Sequence, residues 1–567
     1  MRFRPLALFA LAAGLAATLG ELPNTDAQEK VGKKNKKKIE PPAIPAKPGD
    51  PAEKPADKPA AKPVAVIPTP DAKDAVALAK MIDAEINRKL ADAKLTPSAR
   101  STDEEFLRRA YLDITGVIPT AEKAKAFLDD KSEDKRAKLI DDLLADPHYG
   151  RRMADIWTAK LFPRDSSVRF VQKEPLYKWL EEEFNKNPGW DKFVTRLVTA
   201  TGTVADNPAV TYFLANRSVD KLTDTTAQHF LGIQLQCAQC HNHPFTSWKQ
   251  TEYWGMAAFY GKVKADNPRN PNKGADNAQI GVQEGRVTTK QKDFFPESAK
   301  TVPAKFLGGD EPKVSAADPY RPVLAKWMTA PENPFFARAM VNRTWAHLFG
   351  HGFVNPVDDM LVENEASHPE LMAALAKHVG TAGAFDLKYL IKAICLSDAY
   401  QRTSKPLPDN KSDTALASHM TVKVLSPEQL FDSLGQVTGN LKDVKGAKGA
   451  AGAQKGQRPG SRDQFVTFFL AGAESTNPLD YEAGIPQALR LMNSPIANSP
   501  AAVRAVTGGS SKPEDAIEKI YLAALSRRPT ADETKSLTAY VGRVGAPTAY
   551  GDILWAVLNS SEFTLVR

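Results

Sequence analysis

Two cysteines three residues apart, followed at once by a histidine, form the run Cys237-Ala238-Gln239-Cys240-His241. On a helical turn this spacing sets both sulfurs on one side, where each can add across a vinyl group of a porphyrin to give a thioether. The imidazole that follows then reaches the iron from beneath. The residue types therefore point to covalently bound haem c, with Cys237 and Cys240 as the attachment points and His241 as the proximal ligand. A six-coordinate iron needs a second axial ligand, for which His243, Met256 and His229 stand close in the chain. Trp248, Tyr253, Trp254, Phe259 and Tyr260 could wall a haem pocket, although aromatic residues at this density equally describe an ordinary core.

Two other uses of the same atoms stand beside haem. In an oxidising compartment Cys237 and Cys240 can close a small disulfide. A zinc ion could be held by Cys237, Cys240, His241 and His243, but four ligands within seven residues are strained, because structural zinc sites usually draw their second ligand pair from farther along the chain. A thioredoxin-like role lacks its βαβ setting. The third cysteine, Cys395, falls in the apolar run Leu390 to Leu396 and reads as a buried structural thiol. Elsewhere, Arg338 with Asn342 and Arg343 with His347 share helix faces at i,i+4, and His351, Asp358, Asp359, Glu363 and His368 follow shortly after. A metal-assisted hydrolase built on His351, Asp358 and His368 is the fallback reading. It lacks a His-Glu-x-x-His or Gly-x-Ser-x-Gly signature and a phosphate-cradling glycine loop.

The elements that must position these residues read as helices. Leu78, Ile82, Ile86 and Leu90 repeat at four-residue spacing, and Thr102 with Glu105 predicts a capping box for the helix carrying Phe106 to Ile114. Amphipathic stretches follow at Leu139 to Leu144, Met153 to Phe162, Leu176 to Phe184 and Phe193 to Thr199. A further helix is expected from Asp220 through Phe230 into the cysteine motif itself. Polar text rich in Pro, Gly and Asn from residue 266 to 318 predicts a connecting segment with one small β-hairpin near Gly285-Arg286-Val287-Thr288. A second helical block follows, with helices at Phe335 to Phe349, His368 to Val379, Leu387 to Leu396, Glu514 to Leu525, Ala531 to Val541 and Ile553 to Leu558. Its Gly/Ala/Lys-rich stretch 442–461 is expected to be a mobile loop. The fold class is thus mainly α, with helical domains over 76–265 and 319–567.

The chain of 567 residues is 42% hydrophobic and 25% charged, an ordinary globular balance with ample chain for large cores. Residues 1–27 read as a secretory signal peptide: Arg2 and Arg4, an apolar stretch from Leu6 to Leu19, and small residues near Ala27. Residues 28–75 form a Lys/Pro/Ala-rich spacer with too little apolar surface to offset its ordering entropy. Its 11 lysines against 7 acidic residues supply +4 of the formal +8, so the basicity says little about the folded part. Nucleic acid is disfavoured as a partner, because no aromatic residue interleaves with the lysines as a base-stacking surface would require. No later stretch is apolar enough to span a membrane once the leader is removed. The expected setting is the periplasm or cell envelope, and the expected partner a redox protein or an envelope polymer.

The stretch Phe230 to Phe245, which holds the cysteine motif, resembles the planctomycete-cytochrome-associated (PSCyt-type) domain of secreted proteins, as do Phe106-Leu107-Arg108-Arg109-Ala110-Tyr111-Leu112-Asp113, Thr115-Gly116 and Pro119-Thr120. The second block is similar to its companion, the PSD-type domain. The matching runs are Asn333 to Arg338, Asn342 to Trp345, Ser367 to Leu371, Leu425 to Leu430 and Leu554 to Phe563. The resemblance implies two domains, export and an association with cytochromes, but no established activity, since both domains are of unknown function. Some relatives carry a separate N-terminal cytochrome-like domain. Here the Lys/Pro spacer takes that place, so a haem would belong to the first helical domain itself.

Overall fold

The computed structural model describes residues 65–163, 170–267, 279–285, 302–315, 317–360, 364–439, 461–470, 484–493, 500–510 and 512–567. The expected signal peptide, the spacer up to residue 64, the β-like piece at Arg286 to Thr288, Glu363 and the Gly/Ala/Lys-rich residues 442–460 lie outside the described residues.

The described chain is mainly helical. Its first helix, Ala75–Asp92, is capped by Asp74, whose carboxylate accepts from the Val76 and Ala77 amides, and it buries the four-residue stripe Leu78, Ile82, Ile86 and Leu90. The helix Asp103–Ile114 starts where the sequence predicts, but only half of the capping box forms. Thr102 accepts from the Glu105 amide, while the Glu105 carboxylate turns to Arg109, Thr403 and the Ser404 amide. A buried guanidinium and two further donors outbid one exposed N-cap amide for those oxygens.

Helices Lys135–Ala145, His148–Leu161, Glu174–Lys186 and Trp190–Val198 follow the predicted periodicity. Asn187 closes the third of these in the left-handed region, ahead of Pro188 and Gly189. Residues Val263–Ala265 and Gly281–Glu284 pair antiparallel, with Val263 opposite Glu284, and Gly202–Thr203 adds a third short strand. One strand of this small sheet, Gly281–Glu284, falls inside the expected connecting segment, while Val263–Ala265 immediately precedes it and Gly202–Thr203 comes from farther upstream. The second block supplies Phe336–Phe349, Pro369–Gly380, Leu387–Leu396, Pro427–Thr438, Pro513–Leu525, Ala531–Val544 and Ala546–Leu558. No helix among the described residues is long and apolar enough to cross a membrane.

Two hydrophobic cores organise these elements. The first gathers buried residues from Leu78 to Met420, joined by Leu522 from farther along the chain, and includes both sides of the irregular segment. The second is built from Leu425 to Val566 and receives Leu112 and Ile118 from the first block. Where they meet, the helix Asp103–Ile114 sends buried polar side chains across. Arg108 donates to the carbonyls of Ala524 and Phe563, and Arg109 to those of Tyr400, Arg402 and Arg567. The Gln429 amide returns a hydrogen bond to the Leu112 carbonyl at 2.8 Å.

Candidate functional site

The cysteine motif does not continue the preceding helix. Val219–Thr226 widens into a single π turn, Ala227–Leu231, and stops at Gly232, whose φ of 70° lies in the left-handed region. A side chain there would also meet Met360, whose Cε lies 2.2 Å from the position a Cβ would take, while the Gly232 carbonyl accepts from the Met360 amide. Glycine is required by both backbone and neighbour. The chain restarts as the 3₁₀ turn Gln236–Gln239, anchored by the buried Leu235 and Ala238.

This geometry serves the two thiols as an α-turn would. In a 3₁₀ turn residues i and i+3 eclipse, so Cys237 and Cys240 project from the same side. Both are exposed free thiols, and Cys395 is the buried free thiol expected of it. Burial pushes the Cys395 thiol well above its ordinary range, which makes it inert as a nucleophile.

The turn is held from the helix Gln250–Ala257. The Gln250 side-chain amide donates to the carbonyls of Gln239 and Cys240 at 3.1 and 3.0 Å, and the Trp254 indole N–H to that of Gln239 at 3.1 Å. The Gln250 amide reaches the Asn242 side chain, and the His243 amide closes the intervening loop onto the Trp248 carbonyl. Of the aromatics that could wall a haem, Tyr253, Trp254, Phe259 and Tyr260 are buried in the first core and Trp248 is half-buried against it.

The two histidines of the motif are set in opposite tautomers. His241 is exposed, with Nδ1 2.7 Å from the Asn242 carbonyl. A carbonyl only accepts, so Nδ1 carries the proton and Nε2 keeps a free lone pair, the state of a metal-ligating imidazole. In His243, Nδ1 accepts the Phe245 amide at 3.2 Å, which puts the ring proton on Nε2. Met256 is wholly buried in the core.

His229 is engaged elsewhere, its Nδ1 3.4 Å from Asp358, and burial drives its pKa down to about 4. Burial also opposes ionisation of Asp358, but Arg343 at 2.5 Å, together with His229 and Lys160, outweighs it and holds the carboxyl far below its usual range. The structure thus brings together Cys237, Cys240, His241 and His243 on one exposed turn and loop. It places Met256 and His229 in buried settings of their own. Among the described residues no three His, Cys, Asp or Glu side chains converge in an arrangement that would hold a metal ion.

The fallback hydrolase residues are dispersed in their engagements. His368 is buried with Nδ1 on the Ser367 hydroxyl at 2.9 Å, and His351 is half-buried near Thr421. Burial lowers both histidines, His368 to about 4, and both feel the field of Asp413. Asp358 belongs to Arg343.

One ionisable residue beneath the motif has no signal in the sequence. Asp224 lies beside Tyr253, and burial raises its pKa to about 6, with a smaller push from Asp220 and an opposing pull from Tyr253. Burial and then Asp224 raise the Tyr253 phenol in turn, and the field of Cys240 reaches that phenol as well. Helical periodicity marks Leu222 as core, but the partner that buries Asp224 comes from a different element.

Residues 81–265 match the family model described as PSCyt2, protein of unknown function (DUF1549). Residues 320–541 match PSD1, protein of unknown function (DUF1553). No curated protein and no solved structure matches the chain.

Proposed function

We propose that this chain, which joins a PSCyt2 domain to a PSD1 domain, is exported to the periplasm or cell envelope and carries haem c on Cys237 and Cys240. Its role is electron transfer or redox chemistry with a partner protein. The observation that carries the reading is the state of the motif. Two exposed free thiols stand on one side of a 3₁₀ turn, and the adjoining His241 has Nδ1 committed to a carbonyl and Nε2 open. A bound haem would supply one-electron chemistry at its iron.

The chain's own residues would do the holding. Cys237 and Cys240 would hold the group as thioethers, each S–H adding across a vinyl double bond with sulfur on one carbon and hydrogen on the other, Gln250 and Trp254 fix the turn, and the Asn242 carbonyl orients the His241 ring. Of the two motif histidines, His241 is the better ligand, because His243 presents an N–H rather than a lone pair at Nε2.

The test is export of the full chain from a host with a working cytochrome-maturation system. Haem staining after denaturing electrophoresis and a mass gain of one haem are expected, both lost in Cys237→Ser. A colourless mature protein of unmodified mass refutes the reading. It would favour an envelope scaffold, binding a polysaccharide or a partner protein, in which the same exposed thiols close a disulfide or hold zinc. In that case Cys240→Ser would lower stability with no change in the absorption spectrum.

A further inference from the structure

The side chains that could supply a second axial bond opposite His241 are each committed elsewhere. Met256 is wholly buried in the first core, on the helix Gln250–Ala257. Its thioether could reach the exposed turn only if that helix were displaced, and Gln250 and Trp254 of the same helix are what hold the turn. His229 is buried in the π turn Ala227–Leu231 against Asp358, which Arg343 also pairs. Swinging its ring out would take a partner from a buried carboxylate. His243 stands two residues from His241. Two residues span about 7 Å at most, too short a tether to carry the chain round the edge of a porphyrin to its opposite face. Met360 lies against Gly232, with its Cε where a side chain at that position would fall.

The rest of the chain is committed in the same way. All nine histidines are among the described residues. His148 faces Asp146, His351 Thr421, His368 Ser367, His378 Tyr389 and His419 Ser418, while His347, at the seam between the two cores, meets the Asp113 carbonyl. Met153, Met328, Met340, Met372 and Met420 fill the first core. The outer face of the motif is the opposite case. Cys237, Cys240, His241 and Asn242 are exposed and Phe245 is 77% exposed, whereas Tyr253, Trp254, Phe259 and Tyr260 are packed into the first core.

We propose that the axial position opposite His241 is left to a ligand from solution, so that haem held by this motif binds a small diatomic molecule there, of the class of carbon monoxide or cyanide, in place of a second protein side chain. The inference rests on haem attachment at Cys237 and Cys240. An accessible axial position is what separates ligand binding and activation from electron transfer alone.

The experiment uses the full exported chain with haem attached. Carbon monoxide is added to the reduced protein and cyanide to the oxidised one, and both are followed by absorption and electron paramagnetic resonance. The oxidised protein is expected to be high-spin and to convert saturably to low spin with cyanide. Carbon monoxide should bind at a rate that rises in proportion to its concentration. Met256→Leu, His229→Gln, His243→Gln and Met360→Leu should each leave the ligand-free spectra unshifted. A haem-loaded protein that is low-spin in both oxidation states, or whose carbon monoxide rate levels off because a protein ligand must first leave, overturns the proposal with the haem reading intact. The variant that shifts the spectrum then names the ligand. A colourless protein overturns the haem reading and this proposal with it. A second readout needs no haem. In the Cys237→Ser chain, hydrogen peroxide should oxidise the exposed Met492 well before Met256, as read by peptide mass. Equal oxidation of the two would put the Met256 thioether within reach of the motif's face and overturn the proposal.

Discussion

Asp224 makes the stability of the motif's foundation depend on pH in a direction opposite to that of most carboxylates. Its pKa is raised from 3.8 to about 6, chiefly by burial. Below about pH 3 the carboxyl is protonated in both the folded and unfolded chain and contributes nothing unfavourable. As pH rises through the window from 3.8 to about 6, the unfolded chain releases its proton freely while the folded chain resists. Stability is then lost, and above about pH 7 the loss is complete. At about 1.36 kcal/mol per pH unit the two pKa values imply roughly 3 kcal/mol, which solvent at the partly open edge of the site reduces to about 2 kcal/mol. Asp224→Asn keeps the shape and removes the ionisation. In urea unfolding the variant should match the parent near pH 3 and exceed it by about 2 kcal/mol at pH 8. Tyr253→Phe supplies an internal check, because the neighbouring Tyr253 phenol pulls the Asp224 pKa down. Losing it should move the transition to higher pH. A stability difference between Asp224→Asn and the parent that stays constant from pH 4 to pH 8 would refute the reasoning.

Two further substitutions test how the site and the seam are built. Gly232→Ala forces a side chain into a left-handed residue with Met360 against it. It should lower unfolding stability by about 1–2 kcal/mol, and an unchanged urea midpoint would show that the turn does not need glycine. Arg109→Ala removes hydrogen bonds to the carbonyls of Tyr400, Arg402 and Arg567 and leaves the Glu105 carboxylate without its counter-charge. It should cost about 3–5 kcal/mol, read by thermal or urea unfolding, whereas a loss below 1 kcal/mol would mean that water replaces the guanidinium.

Much of the helical fold was legible in the sequence because periodicity reports which face of a helix is buried. Leu78, Ile82, Ile86 and Leu90 show it, all essentially inaccessible to solvent, as does the helix Leu387–Leu396, whose bounds match those expected. What periodicity omits is the partner. Glu105 follows Thr102 at the spacing of a capping box, yet its carboxylate is drawn to Thr403 and Ser404, nearly 300 residues away. The cysteine motif was legible as chemistry through its spacing, but not its setting. Nothing in the apolar pattern stops the helix before it; the left-handed Gly232 does. The opposite tautomers of His241 and His243 rest on two local backbone contacts that a sequence motif does not encode.

The runs through which the chain resembles the two domains follow the same logic. Of Phe106 to Asp113, the apolar positions Phe106, Leu107 and Ala110 fill the first core, and Leu112 crosses to the second. The polar positions make the seam: Arg108 and Arg109 satisfy carbonyls from the far end of the chain, and Asp113 binds Lys423 and Tyr400. From the other side, Leu425 to Leu430 contributes Ser426, which both caps its own helix and accepts from Arg152, and Gln429, which reaches the Leu112 carbonyl. Arginine suits this work because one buried side chain can satisfy several carbonyls at once, so losing any single partner leaves a charge or an acceptor stranded. Most of the residues in these runs are therefore explained by joining the two blocks.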